Sequence, residues 1–288
     1  MTISINSNLA SLRAQRSLST SSEGLNKTYE KLASGNRINR ASDDAAGLAI
    51  RESLKVSARL ASIGIRNAQD GISSVAVADG ALSSIGQVLG RLAELTQQGA
   101  NGTYSVVQRS ALQAEFTALG SEIERIAVTT EFNGVRLLSG SQNVVFQVGF
   151  DGASTSQIAL NQTSGALLQN LGLATTGSSL LAYSLTGTTT VLAQSASRAA
   201  LVAVSGALTS LNTLRGSLGT VESRLQSAVM NLTTSRENIL AAESRISDVD
   251  VASEAAELTR LNILQQAGAA VLAQANQQPQ LAVQLLRS

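Results

Sequence analysis

The sequence predicts a mainly α fold in which segments from the two ends of the chain form a long antiparallel helical bundle or coiled coil, with a small β-hairpin region mid-chain. Three observations carry this prediction. Positions Leu54, Ala58, Ala61, Ile65, Ala68, Ile72, Val75, Asp79, Leu82, Gly86, Leu89, Ala93 and Thr96 advance in alternating steps of four and three, the spacing of a coiled-coil seam. A second seam runs from Leu211 through Leu218, Leu225, Leu232 and Ile239 to Ile246. The chain has one proline in 288 residues, so neither seam is forced to break.

Composition narrows the chemistry. Aromatic residues make up only 2%, with no tryptophan, so the core must be built from Ala, Leu, Ile and Val, which suits closely packed helices. The absence of cysteine and histidine removes intrachain disulfides, zinc sites and His-based triads. Neither G-x-S-x-G, S-x-x-K nor a Walker A lysine is present, and the lysines number three, Lys27, Lys31 and Lys55. No enzyme, cofactor or metal is therefore expected. A net charge of +1 gives no pull toward nucleic acid. The N-terminus carries Arg13 and Arg16 and no apolar run of signal-peptide length, and no 18 consecutive apolar residues occur, so membrane insertion is not expected.

Taken in order, Leu18, Leu25 and Leu32 mark a first helix by heptad spacing. The Leu54–Thr96 seam, with a neighbouring row at Ile85, Val88, Leu92 and Leu95, implies a rod of about 60 Å. A third helix around Arg109 to Val128 can complete the bundle through Leu112, Phe116, Leu119, Ile123 and Ile126. Val144, Phe146, Val148 and Phe150 alternate, Asp151-Gly152 turns, and Ile158 and Leu160 resume, a strand-turn-strand signal. Residues 175–190 are rich in Ser, Thr and Gly without a period and read as surface loop. Leu258, Leu261, Leu264 and Val271 mark a last helix. The outermost helices have narrow apolar faces, which predicts that they stay partly unfolded until a partner covers them.

The stretch SGNRINRASDDAAGLAI, from Ser34 to Ile50, interrupts the helical pattern. Gly35 can end the first helix and Ser42 can cap the next, with Asp43 and Asp44 in its first turn. The pairing of Arg37 and Arg40 with these two aspartates, together with Asn39, predicts a hinge. Farther on, Ser247 and Asp250 are the expected caps of the last helix.

Four blocks resemble the bacterial flagellins: LASGNRINRASDDAAGLAI near the N-terminus, EFNGVRLL at Glu131 to Leu138, SRISDVDVASEAAELTR at Ser244 to Arg260, and QAGAAVLAQANQQPQLAVQLLR at the C-terminus. The resemblance implies a filament subunit with a terminal coiled-coil domain, residues 1–45 and 249–288, and a helical rod domain, residues 46–248. A loose surface segment at about 174–195 would replace the outer domains that many flagellins carry. Leu9, Leu12, Leu18, Leu25, Leu32, Leu258, Leu261, Leu264, Val271, Leu285 and Leu286 are the implied polymerisation residues. The implied setting is extracellular, reached unfolded through the flagellar type III route. Implied partners are the chain itself, an export chaperone, the filament cap and the hook-filament junction proteins. Arg91, Leu95 and Glu115 match positions that contact Toll-like receptor 5 in some flagellins, although Gly90, Ala93 and Thr96 depart from the pattern. A junction protein of the same superfamily is the alternative reading.

Overall fold

The computed structural model describes residues 8–139, 143–150, 152–160, 165–175 and 177–287, with side chains as far as residue 278. In chain order these form α1 (Leu9–Ser34), α2 (Ala45–Ala100), α3 (Val106–Thr129), β1 (Glu131–Phe132), β2 (Val135–Arg136), β3 (Val144–Gln147), β4 (Gln157–Leu160), α4 (Thr190–Ser247) and α5 (Val251–Arg287). The chain divides into two compact units, residues 1–58 with 237–288, and residues 59–236. Both boundaries fall inside α2 and α4.

The core of the 59–236 unit follows the two seams. Ala61, Ala68, Val75, Leu82 and Leu89 of α2 are buried together with Ile85, Leu92 and Leu95 of the adjacent row. α4 answers with Ala200, Val204, Ala207, Leu211, Leu218, Val221, Leu225 and Leu232, and α3 adds Phe116, Ile123 and Ala127. Small residues set the spacing: a Cβ on Gly71 would meet Leu225 Cδ1 at 3.0 Å. Asp79 interrupts the α2 seam with a carboxylate, and Arg215 of α4 meets it through both nitrogens, Nε to Oδ1 at 2.8 Å and Nη2 to Oδ2 at 3.2 Å.

By mean hydropathy, α2 and α4 each contain an 18-residue stretch reaching 1.3, apolar enough by composition to cross a bilayer. The count of consecutive apolar residues misses these stretches because Ser and Gly are interleaved with Ala, Val, Leu and Ile.

Two hairpins pack beside these helices. β1 and β2 pair antiparallel through Asn133-Gly134, both with positive φ (50° and 77°), as a tight two-residue hairpin turn requires. β3 and β4 pair with Val144 opposite Leu160 and Phe146 opposite Ile158. The expected alternation stops at Gln147: Val148 is buried, Phe150 is exposed, and the chain returns through a 3-10 turn at Ser154–Ser156. Asp151 lies outside the described residues.

Of the span read as surface loop, residues 175–190, the described residues are mostly exposed or half-buried, with Leu185 buried; the strap that leads into it from residue 165 also buries Leu168, Leu171 and Leu173. Gln113 Oε1 accepts from Leu185 N at 2.5 Å, and Ala182 N donates to Leu173 O at 2.8 Å. Leu181 sits over Gly120 of α3. The helical pattern is absent because irregular backbone delivers these leucines one at a time, so no period marks them. Beyond this strap the chain is already helical at Thr190.

α3 begins three residues earlier than its apolar pattern and ends one later, fixed at its start by a capping box between Ser105 and Gln108. Arg109, 1% exposed, closes the preceding turn. Its Nη1 donates to Gly99 O, Nη2 to Asn101 O at 2.7 Å and Nε to Tyr104 O at 3.2 Å. The carbonyls at the C-terminal end of α2 take the place of a counter-ion.

Candidate functional site

The 1–58 and 237–288 unit holds all the candidate polymerisation positions. α1 and α5 run antiparallel, as the order of their cross-links shows. Asn8 Nδ2 donates to Ala275 O at 2.7 Å, Ser11 Oγ to Asn276 Oδ1 at 2.8 Å, and Lys31 Nζ lies 3.7 Å from Glu254 Oε1 at the other end. Asn8 also caps α1, its Oδ1 accepting from Ser11 N. The contact surface on α1 is a heptad row of Ser11, Ala14, Leu18, Ser21, Leu25, Thr28 and Leu32, each buried or half-buried. On α5 the matching row is Glu254, Leu258, Leu261, Gln265, Gly268, Leu272 and Ala275. Leu261 lies over Gly24, and Leu18 over Gly268.

The expected polymerisation residues therefore divide into two groups. Leu25 and Leu261 are buried in this seam, and Leu18, Leu32 and Leu258 are half-buried at its margins. Leu9, Leu12, Leu264 and Val271 point away from the seam and are exposed, with Ile263 beside them at 60% exposure. For Leu264 and Val271 this departs from the seam position expected of them, because the row on α5 steps from Leu261 to Gln265, Gly268 and Leu272. The side chains of Leu285 and Leu286 lie outside the described residues. Sequence reasoning missed the small members of the seam, Ser11, Ala14, Thr28 and Ala275. Ser11 continues the heptad position of Leu18, Leu25 and Leu32, Ala14 and Thr28 fall at the second heptad position of α1, and Ala275 continues the row of Leu261 and Gly268 on α5.

The two connections in this unit are tied to each other. Arg37 N donates to Ser247 O at 2.6 Å and Val249 N to Gly35 O at 3.0 Å. Ser247 Oγ donates to Asn36 Oδ1 at 2.9 Å, and Arg37 Nη2 to Ile246 O at 2.9 Å. Gly35, with φ 72°, ends α1 in the left-handed region. Ile38 is buried, and its carbonyl accepts from Arg51 Nη1 at 2.7 Å.

Contrary to the expected pairing, no side-chain ion pair among the described residues joins Arg37 or Arg40 to Asp43 or Asp44. Arg40 meets Glu30 instead, Nε to Oε1 at 2.9 Å. Asp43 Oδ2 accepts from the backbone N–H of Arg40 at 3.0 Å and of Asn39 at 3.2 Å, and those bonds hold its carboxyl below the ordinary value. Asn39 Nδ2 donates to Ser34 Oγ at 2.8 Å and to Glu30 O at 3.2 Å. The cap of α2 is Asp44, accepting from Gly47 N at 2.9 Å, in place of Ser42. Backbone donors at turns and helix starts outbid the guanidinium groups for both aspartates, since they are already within reach. α5 is capped by Asp250, which accepts from Ala252 N and Ser253 N, while Ser247 belongs to the end of α4.

In the other unit, Arg91 Nε donates to Glu115 Oε1 at 2.8 Å and Nη1 to Glu94 Oε2 at 2.8 Å, all on the surface. Leu95 is wholly inside the bundle. Among the described residues no cluster of carboxylates is arranged to hold a metal.

Comparison with known proteins bears on both ends of the chain. A family model described as the bacterial flagellin N-terminal helical region matches residues 5–143, and one described as the C-terminal helical region matches residues 201–286. A flagellin of Halalkalibacterium halodurans is 41% identical over 287 residues, covering 98% of this chain and 99% of the relative. A flagellin of Bacillus subtilis is 41% identical over 306 residues with the same coverage of each. The flagellar filament 30.7 kDa core protein of Treponema maltophilum is 36% identical over 290 residues, covering 98% of this chain and 99% of its own. With both helical ends matched in order and relatives aligned over nearly their whole length, the chain belongs to the bacterial flagellin family, structural filament proteins and not enzymes.

Proposed function

We propose that the open apolar face of the α1–α5 pair is where successive copies of this flagellin pack as the flagellar filament grows. The observation that carries this reading is the division of apolar residues within two paired helices. Leu25 and Leu261 are spent on the seam, while Leu9, Leu12, Ile263, Leu264 and Val271 remain exposed. Covering such a face gains about 25 cal/mol per Å² of apolar area, and a head-to-tail contact that does not close on itself propagates as a helix. The seam between α1 and α5 is thin and rich in small residues, so the terminal helices gain most of their order on assembly.

Residues 1–45 and 249–288 form the filament core in this reading, residues 46–248 lie outside it, and the connection from Arg37 to Asp44 is the joint between them. The subunit leaves the cell unfolded by the flagellar type III route and works outside it. A disulfide-free chain with weakly held ends suits that passage. An export chaperone, the filament cap and the hook-filament junction proteins are its partners there. Recognition by Toll-like receptor 5 would use the exposed Arg91–Glu115 pair, without Leu95.

Seeding tests the reading. Full-length protein incubated with short filament fragments in a precipitating salt is expected to give long tubes of uniform diameter by negative-stain electron microscopy. Leu264→Asp is expected to give none while keeping its helical circular dichroism. Monomers under every seeding condition would favour the junction-protein alternative.

A further inference from the structure

At the α2–α3 turn, Gly99 brings α2 close to α4: a Cβ there would meet Ser197 Oγ at 2.8 Å. The buried Arg109 braces the turn through the carbonyls of Gly99, Asn101 and Tyr104, so Asn101 and Tyr104 are displayed on a fixed backbone. Between this turn and α4 lies an open cleft of about 560 Å³, lined by Gln97, Gln98, Asn101, Tyr104, Arg198 and Leu201.

Arg198 meets no carboxylate among the described residues, as Arg13, Arg16, Arg59, Arg66, Arg224 and Arg245 do not; what sets it apart is the tyrosine ring and the amides that share its cleft. Its lack of a carboxylate follows from local composition: residues 95–114 and 152–221, which supply the walls and the strap around them, contain no aspartate or glutamate. The side chains of Gln97, Gln98 and Tyr104 likewise make no hydrogen bond among the described residues. The cleft therefore offers one uncompensated guanidinium, one phenol ring and two free amides on a braced frame.

We propose that this cleft binds an acidic saccharide. A guanidinium forks onto a carboxylate through two parallel N–H bonds, which assigns Arg198 to the acid group. The ring of Tyr104, with Leu201, gives a flat apolar surface for the C–H face of a sugar and costs little side-chain entropy. Amides both donate and accept, which matches the hydroxyl groups on a sugar rim and assigns Gln97, Gln98 and Asn101 to them. A bare inorganic anion would use Arg198 and leave the ring and the amides idle. A polynucleotide would need a row of basic residues, and here there is one. The site is separate from the α1–α5 face and stands or falls independently of assembly.

Calorimetric titration of the full-length protein tests the assignment with two probes of equal length. One is a hyaluronan hexasaccharide, with a uronate in every repeat; the other is chitohexaose, which is neutral. Saturable binding of the hyaluronan fragment alone, at one site per chain, is expected. Arg198→Gln is expected to weaken it about tenfold, the size of one lost charge-assisted contact. Tyr104→Ser is expected to weaken it about fivefold through loss of the ring face. Arg224→Gln, an exposed arginine elsewhere on α4, is expected to leave it unchanged, and far-UV circular dichroism checks that each variant keeps its helices. Binding of neither probe, equal binding of both, or equal losses from Arg198→Gln and Arg224→Gln would each overturn the proposal.

Discussion

Arg109 carries a full positive charge into a place from which water is excluded, and every partner it has there is a neutral carbonyl. Removing it strands the oxygens of Gly99, Asn101 and Tyr104. Arg109→Met is therefore expected to cost about 2 to 4 kcal/mol in denaturant unfolding. Arg109→Lys should recover only part of this, because one ammonium cannot span three acceptors set out for a planar fork. Asp79 makes the opposite kind of contact, on the surface and titratable. Arg215 holds its carboxyl below the ordinary 3.8, chiefly through the side-chain hydrogen bonds and then through charge. A lowered folded pKa means that the contribution is fully present above the unfolded value and is lost as pH falls through the folded one. Asp79→Asn should accordingly be less stable than the parent at neutral pH, and the two should converge as acid protonates Asp79. A constant gap across that range would assign the effect to packing instead.

Among the elements, glycines in α2 and α4 fall into two classes that one substitution separates. A Cβ on Gly64 would lie 2.8 Å from Val148 O, a backbone atom at the end of β3, so the hairpin must move to admit it. Gly64→Ala is expected to destabilise by about 1 to 3 kcal/mol. Gly80 and Gly216 face open space, and Ala there is expected to stabilise by about 0.5 to 1 kcal/mol through helix propensity alone. Thermal melting of the three variants should rank them with Gly64→Ala lowest and the other two above the parent. The long helices were legible because their seams keep the heptad spacing over many turns. Only one of the two hairpins was legible in the sequence: Val144, Phe146, Ile158 and Leu160 alternate openly, whereas β1 and β2 are two residues each and show no alternation, so their pairing through Asn133-Gly134 was not. The strap at residues 165–189 was not legible, since Leu168, Leu173 and Leu185 reach the core from backbone with no repeat. The same limit applied at the candidate site. The leucines of α1 marked the seam, but Ser11 and Thr28 are polar and Ala14 is one of many alanines, and the partners of Asp43 and Asp44 are backbone groups that side-chain charge does not reveal.

For the whole molecule, the function is divided between the ends of the chain and everything between them. Deleting residues 1–45 or 249–288 should abolish seeded polymerisation, as read by sedimentation, while the remaining chain stays helical by circular dichroism. Retained assembly would refute the role given to the α1–α5 face. The crossed connections of the same unit carry one more consequence, which concerns proteases. Arg37 and Arg40 make the segment after α1 an obvious tryptic target on paper. A protease must draw its substrate into an extended strand, yet the backbone at Gly35 and at Arg37 itself is already bonded across to Val249 and Ser247. Cleavage there has to wait until the second connection lets go. The stretch most inviting to a digestive enzyme should thus be among the last to be cut.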